Sequence, residues 1–272
     1  MKSITKYDKL VDLIEEYTKE DVAVAFSGGV DSSLLLKMCV DASIKNNTKV
    51  YGVTFVADLQ PHEDLGITEK VCKEIGATHV VLNLSQLSIK EVRENHVDRC
   101  YHCKRTLFST LLDWAHFKNI NRVIDGTNAD DMNSYRPGIK ALEDLKITSP
   151  LRIAGLTKQE VRGAASSLKV SVAQRPSSPC LATRFEYNTD LDIKRIKMVE
   201  SGESYLREIG SKNFRVRMKD MSARIECDVD MFETLLKRRE EIVEKFKKIG
   251  FSYISLDLEG FRSGSMDIGI KS

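Results

Sequence analysis

Residues 22–33 read Val-Ala-Val-Ala-Phe-Ser-Gly-Gly-Val-Asp-Ser-Ser, and this stretch decides the fold. Val22 to Phe26 are apolar without alternation, the pattern of a parallel strand buried on both faces. Gly28 and Gly29 follow as a tight turn, and Leu34, Leu35, Leu36 and Met38 then mark a helix. Asp31 and Ser32 stand where that helix begins. The two glycines leave no Cβ between the backbone and a ligand. The unpaired N–H groups and the positive end of the helix dipole favour an anion there. Ser27, Ser32 and Ser33 add hydroxyl donors, and Asp31 is placed to hold a Mg²⁺ that shields phosphates. A plain glycine turn would not need strand, turn, acid and hydroxyls in this order.

Working outward, the rhythm of strand and helix continues. Upstream, Leu10, Val11, Ile14 and Tyr17 give residues 5–19 the spacing of an amphipathic helix. Downstream, residues 49–56 form a second strand. Its end, Thr54 to Ala57, lies on the sheet edge where a doubly wound fold takes its ligands. A helix over 62–76 capped by Gly76, a strand over 79–84, and helical residues 88–118 interrupted near Asp98 follow. A fourth strand over 122–125 ends in Gly126-Thr127-Asn128, at the same ligand edge, before a polar loop over 129–138. Residues 147–150 read as a last short strand. Thr157 and Glu160 form a capping box for a helix over 158–168. This order predicts an α/β domain with a doubly wound parallel sheet.

Residues 175–184, Arg-Pro-Ser-Ser-Pro-Cys-Leu-Ala-Thr-Arg, break the regular pattern with two prolines and hydroxyl residues. The boundary is placed here, giving a first domain over 1–182 and a small α+β domain over 183–272. The second domain is expected to hold a helix over 190–209, a hairpin of residues 214–218 and 223–227, a charged helix over 230–247 and a strand over 253–258.

Composition narrows the partners. The 272 residues are 42% hydrophobic and 30% charged, with a net charge of +2. Charge this balanced argues against a nucleic-acid or membrane surface as partner. Residues 1–8 have no apolar core segment, and no apolar run approaches the roughly 18 residues of a membrane span, so a cytoplasmic protein is expected.

Six cysteines in such a chain point to metal, catalysis or burial before disulfides. Cys100-x-x-Cys103 places two sulfurs about one helical turn apart, and Cys180 comes 77 residues (180 − 103) later. Three thiolates suit a [4Fe–4S] cluster with one open iron, zinc with His102 or water as fourth ligand, or, for the pair, a redox dithiol. Cys39, Cys72 and Cys227 read as core residues.

The opening loop is not of Walker type, since no Gly-x-x-x-x-Gly-Lys-Ser/Thr is present. Ser27-Gly28-Gly29-Val30-Asp31-Ser32 instead resembles the PP-loop of ATP pyrophosphatases, which grip the β,γ-pyrophosphate and expose the α-phosphate. Nearly the whole chain resembles the LarE family of PP-loop ATP-dependent sulfur transferases. The resemblance lies in residues 26–32, Asp125-Gly126, Tyr135-Arg-Pro-Gly138, Ser178-Pro-Cys-Leu-Ala-Thr-Arg-Phe185, Arg215-Val-Arg217, Ala223-Arg-Ile-Glu226 and residues 256–264.

That resemblance implies a role in making a nickel-pincer nucleotide. ATP and Mg²⁺ would adenylate the carboxylates of a pyridinium-3,5-dicarboxylate mononucleotide, and sulfur would then displace AMP. Activation is needed because a carboxylate has no good leaving group, whereas AMP leaves readily. Cys180 matches the family's sulfur-bearing cysteine, which one subgroup sacrifices. Members with two further cysteines, here Cys100 and Cys103, are taken to carry a [4Fe–4S] cluster whose open iron binds hydrosulfide. Arg215 and Arg217, two apart on a strand, project from one face and match family arginines near substrate phosphate or carboxylate. Arg184 is placed to pair with phosphate or thiolate. Glu203 and Glu226 match family acids, and Asp130-Asp131 is a second candidate Mg²⁺ contact. A homo-oligomer is implied, with sulfide or another sulfur donor as partner.

Three other readings compete. A tRNA thiolase of the same superfamily would want a basic surface or an RNA-binding module. An ammonia-using ligase like NAD synthetase would not need the three cysteines. A non-enzymatic nucleotide or metal binder would not release pyrophosphate.

Overall fold

The computed structural model describes residues 5–133, 137–176, 178–262 and 266. In chain order they form α1 (Lys6–Tyr17), β1 (Val22–Ala25), α2 (Val30–Asn46), β2 (Val50–Ala57), α3 (Glu63–Ile75), β3 (Thr78–Leu84), α4 (Lys90–Arg93), α5 (Arg99–Phe117) and β4 (Arg122–Ile124). Then come α6 (Pro137–Asp144), α7 (Pro150–Ala154), α8 (Lys158–Ser167), α9 (Ile193–Glu208), β5 (Phe214–Lys219), β6 (Ser222–Cys227), α10 (Phe232–Lys237), α11 (Arg239–Ile249) and β7 (Tyr253–Leu256). Two compact units result. The first takes the chain up to Ser85 and Asp98–Ser178; the second takes Gln86–Val97 and the chain from Pro179. The first unit closes at Ser178, ahead of the 182/183 boundary drawn from composition, and the short 86–97 excursion gave no composition signal.

The first unit carries a parallel sheet in the order β3-β2-β1-β4. Both of its faces are covered, as the unalternating apolar strands require. Val22 and Val24 of β1 pack with Leu10, Leu35, Val71 and Val161 of helices α1, α2, α3 and α8. Ala23 of the same strand points the other way, into a core with Val53, Phe108 and Leu111 of β2 and α5. The strand order reverses between β1 and β4. At such a reversal the connections leave to opposite faces and open a crevice beyond the strands' carboxyl ends.

Local chemistry sets several element ends. The Thr5–Asp8 and Thr157–Glu160 capping boxes open α1 and α8, and Gly76 closes α3. Residues 147–150 do not form the expected strand. Thr148 makes a single parallel bridge to Ile124, and Pro150, with no N–H to give a sheet, starts α7 instead.

In the second unit, β5 and β6 form the expected antiparallel hairpin, with β7 parallel to β6. The helix expected from residue 190 starts at Ile193, because Asp192 caps it by accepting the Arg195 N–H at 2.9 Å. The charged stretch 230–247 is two helices, α10 and α11, divided at Arg238. Gly202 of α9 lies where a Cβ would come within 3.2 Å of Phe246 and 3.4 Å of Val216, so α9 sits close on the sheet and on α11. The 86–97 segment is bound by Asn95, whose side-chain amide donates to the Phe185 and Glu186 carbonyls at 3.2 and 2.8 Å.

Candidate active site

The crevice between β1 and β4 is where the first unit gathers its polar groups. Gly28 sits at φ +70° in a space where a Cβ would come within 3.0 Å of Thr68 Cγ2, so no other residue fits without strain. Gly29 is the N-cap of α2 and gives no side-chain hydrogen bond to the helix start. The leading N–H groups of α2 are therefore uncapped by that residue and available to an anion. Ser27 is exposed, and its Oγ lies 3.3 Å from the buried Ser32 Oγ. Ser33 is turned inward: its hydroxyl is fully buried and has no hydrogen-bond partner among the described residues, so it lines the core side of the helix. Thr54 is also buried, donating to the Phe26 carbonyl at 2.9 Å and lying 3.0 Å from His79 Nε2. Desolvation holds that imidazole below its ordinary pKa.

The β4 loop closes onto the same place. A Cβ on Gly126 would come within 2.9 Å of the Ser32 nitrogen, so only glycine allows this loop to touch the start of α2. Asp125 is buried and receives the Thr127 and Ser149 hydroxyls, each at 2.5 Å, with Lys104 Nζ 4.0 Å away. Thr127 thus spends its hydroxyl on Asp125. Asp31 is half-buried; its Oδ1 accepts from Asn128 Nδ2 at 3.1 Å, and its Oδ2 forms an ion pair with Lys158. Asp130 accepts the Lys158 backbone N–H at 2.8 Å, and Asp131 accepts that of Asn128 at 3.0 Å, so both acids serve loop structure. Arg175 pairs with Asp64 at 2.5 Å and donates to the Gly28 carbonyl at 3.4 Å, bracing the loop from behind.

Lys104, Asn128, Lys158 and Arg175 are site residues that sequence reasoning did not single out. Lys158 carried only the signal of a helix start, and its partner lies 127 positions away (158 − 31). Lys104 stood one residue past the Cys-x-x-Cys pair.

The second unit holds a compact set of arginines and acids. Arg184 is buried, and Glu203 accepts its Nε at 2.7 Å and its Nη2 at 2.9 Å. Glu203 also accepts the Val216 N–H at 3.0 Å. Arg184 therefore locks the turn Leu181–Arg184, which begins right after Cys180, to α9 and β5. Glu226 is buried too, and receives Arg217 Nε at 3.0 Å and Arg224 Nη2 at 3.2 Å. Arg217 also donates to the Thr183 carbonyl. Arg215 differs. It stacks over the Phe261 ring at 4.9 Å and donates to the Phe214 carbonyl, and among the described residues no carboxylate pairs with it. Burial, and then the nearby Arg184 charge, lower its pKa to about 10. A cavity of about 440 Å³ adjoins this set, lined by Arg217, Lys219, Ser222 and Arg224 on the sheet and by Arg184 to Tyr187.

The six cysteines sort by environment. Cys39, Cys72 and Cys227 are buried, and desolvation raises their thiols to about 12, 12 and 11. Cys100 is exposed and Cys103 half-buried, both on α5, in the first unit; Cys180 is half-buried, in the second. Among the described residues no three His, Cys, Asp or Glu side chains gather as a ready metal site. Tyr135 and Arg136 of the Tyr-Arg-Pro-Gly motif, and Ser263 and Gly264 of the C-terminal motif, lie outside the described residues. No described helix is long and apolar enough to cross a membrane.

A parallel sheet with covered faces, a Gly-Gly loop at the strand-order reversal and an acid in the first turn of the following helix define an adenylating nucleotide-binding domain of the PP-loop class. In agreement, the model of the NAD synthase family matches residues 4–127. The chain is 34% identical over 263 residues to the pyridinium-3,5-bisthiocarboxylic acid mononucleotide synthase of Lactiplantibacillus plantarum, covering 97% of this chain and 94% of the relative. It is also 34% identical over 262 residues to an uncharacterized protein of Synechocystis sp., covering 95% and 97%. A tRNA-specific 2-thiouridylase of Parasynechococcus marenigrum is 27% identical over 59% of this chain and 48% of its own length. The chain belongs to the LarE family of ATP-dependent sulfur transferases.

Proposed function

We propose that this enzyme adenylates the carboxylates of a pyridinium-3,5-dicarboxylate mononucleotide and converts them to thiocarboxylates for a nickel-pincer cofactor. The observation that carries the reading is the end-to-end match to the synthase in a chain whose crevice holds the Ser27–Ser33 loop. The tRNA-thiolase reading is set aside, because the thiouridylase match covers only part of either protein.

In this reading the start of α2, with Ser27 and Ser32, holds the β,γ-phosphates, and Asp31 contributes an oxygen to Mg²⁺. Gly126 keeps the β4 loop flush against the helix start. A substrate carboxylate oxygen attacks the α-phosphorus and pyrophosphate leaves; a sulfur nucleophile then attacks the acyl carbon and AMP leaves. Arg215 is the group best suited to a substrate anion, because it is a half-buried cation with which no carboxylate among the described residues pairs. Arg217 shares its face of β5 but is held by Glu226. Arg184, Glu203 and Glu226 act by positioning.

A [4Fe–4S] cluster fits the chemistry of Cys100, Cys103 and Cys180. These three are the exposed or half-buried thiols, whereas burial raises the other three out of thiolate range. Cys100, Cys103 and Cys180 would hold the group, which when bound would supply an iron position for inorganic sulfide. A homo-oligomer belongs to the same proposal and is checked by light scattering.

The test is anaerobic. The purified chain is assayed for iron, acid-labile sulfide and zinc, then given ATP, Mg²⁺, the dicarboxylate mononucleotide and sulfide. Close to four irons and four sulfides, lost in Cys100→Ala, Cys103→Ala and Cys180→Ala, are expected together with pyrophosphate and a thiocarboxylate product. Zinc alone would sink the cluster but not the adenylation. Absence of substrate-dependent pyrophosphate would sink the function.

A further inference from the structure

We propose that Lys158 is the countercation of Asp31 in the nucleotide-free enzyme, and that a divalent cation gains Asp31 only when a nucleotide phosphate draws the ammonium away. The inference rests on the reading of residues 27–33 as a pyrophosphate loop.

Both oxygens of Asp31 are already engaged. Oδ2 holds the Lys158 ammonium, and Oδ1 accepts from Asn128 Nδ2 at 3.1 Å. The Lys158 backbone cannot shift easily. It is the first residue of α8, Thr157 and Glu160 cap that helix reciprocally, and the Lys158 N–H is given to Asp130 at 2.8 Å. Only the flexible methylene stem is left to move, and the ammonium at its end is a compact charge that can pass from carboxylate to phosphate.

Mg²⁺ is bound by one or two carboxylates together with substrate phosphates, so one Asp beside hydroxyls suits it. Among the described residues no third acid, cysteine or histidine joins to complete a protein-only site. A metal entering alone would have to displace Lys158 and then sit beside the cation it displaced, which Coulomb repulsion opposes. A nucleotide changes this balance. Its phosphates bind at the uncapped start of α2, accept the ammonium, and give the metal its remaining oxygens. Metal and nucleotide should therefore enter together, with Lys158 setting that order.

The test follows Mn²⁺ binding to the whole chain by electron paramagnetic resonance, without and with α,β-methylene-ATP. Without nucleotide, Lys158→Met is expected to bind Mn²⁺ about tenfold more tightly than wild type, as removal of an adjacent competing cation requires. Lys158→Arg, which keeps the charge, should resemble wild type. With the analogue present, wild type should gain Mn²⁺ affinity strongly and Lys158→Met much less. Equal Mn²⁺ affinity of wild type and Lys158→Met without nucleotide would overturn the proposal. If the Met variant fails to show a native melting curve, Lys158→Gln gives the same reading. A wild type that binds no Mn²⁺ with the analogue would instead overturn the loop assignment itself, and this proposal with it.

Discussion

At the scale of single residues, Arg215 is a half-buried cation with which no described carboxylate forms an ion pair. Its folded pKa, about 10, lies below the ordinary 12.5, first because of burial and then because of Arg184. A depressed pKa on a base means that folding disfavours the charged form. The cost is present in full below about pH 10 and is relieved as pH rises through the folded pKa. An anion beside the guanidinium would relieve it at neutral pH. Arg215→Met should therefore raise the melting temperature of the ligand-free chain yet lessen its stabilisation by added phosphate, leaving the share that the start of α2 contributes; phosphate stabilisation unchanged from wild type would count against an anion site at Arg215. Gly126→Ala makes the opposite kind of change. Its new Cβ meets backbone atoms of Ser32 at 2.9 and 3.2 Å, which cannot swing aside. Overpacking of this kind costs roughly 1–3 kcal/mol, and nucleotide binding, followed by calorimetry, should fall with it. The cysteines give a third check. At pH 8 only about 0.1% or less of a thiol with a pKa of about 11 or 12 is thiolate. In the metal-free chain, iodoacetamide should label Cys100 well before Cys39, Cys72 and Cys227, as peptide mass spectrometry would report.

At the scale of elements, the Arg184–Glu203 pair ties together the turn after Cys180, α9 and β5. Glu203→Ala leaves a buried guanidinium and the Val216 N–H without their acceptor. Removing one partner of such a pair typically costs 3–5 kcal/mol, so denaturant unfolding of the variant should show a loss of about that size. Elements set by neighbouring residues were legible in the sequence: the β1 strand with its Gly-Gly turn, the Thr157–Glu160 box and the β5–β6 hairpin. Ile147 to Pro150 misled, because the β-branched Ile147 and Thr148 favour a strand whether or not a proline ends its pairing. The break at Arg238 was hidden inside a continuous charged pattern. In the site, the loop itself was readable, but its partners were not. Lys158 with Asp31 and Arg175 with Asp64 are brought together by the fold over more than a hundred positions, and local spacing carries no trace of that.

At the scale of the whole molecule, the two units are interlaced along the chain rather than placed end to end. Gln86–Val97 belongs with the residues after Pro179, and Asn95 there binds the carbonyls of Phe185 and Glu186. A fragment of residues 179–272 should therefore be poorly folded by circular dichroism, and adding a peptide of residues 86–97 should recover part of its signal. A fragment that folds fully by itself would contradict this dependence. The arrangement also bears on birth at the ribosome. Val92 and Asn95, both buried in the finished protein, leave the exit tunnel long before the strands and helices that cover them. Some 82 residues (179 − 97) separate the two parts, which at about 5–20 residues per second is a wait of roughly 4–16 s. During that interval the nascent chain exposes a segment meant for a partner not yet made, and a slower ribosome lengthens the exposure.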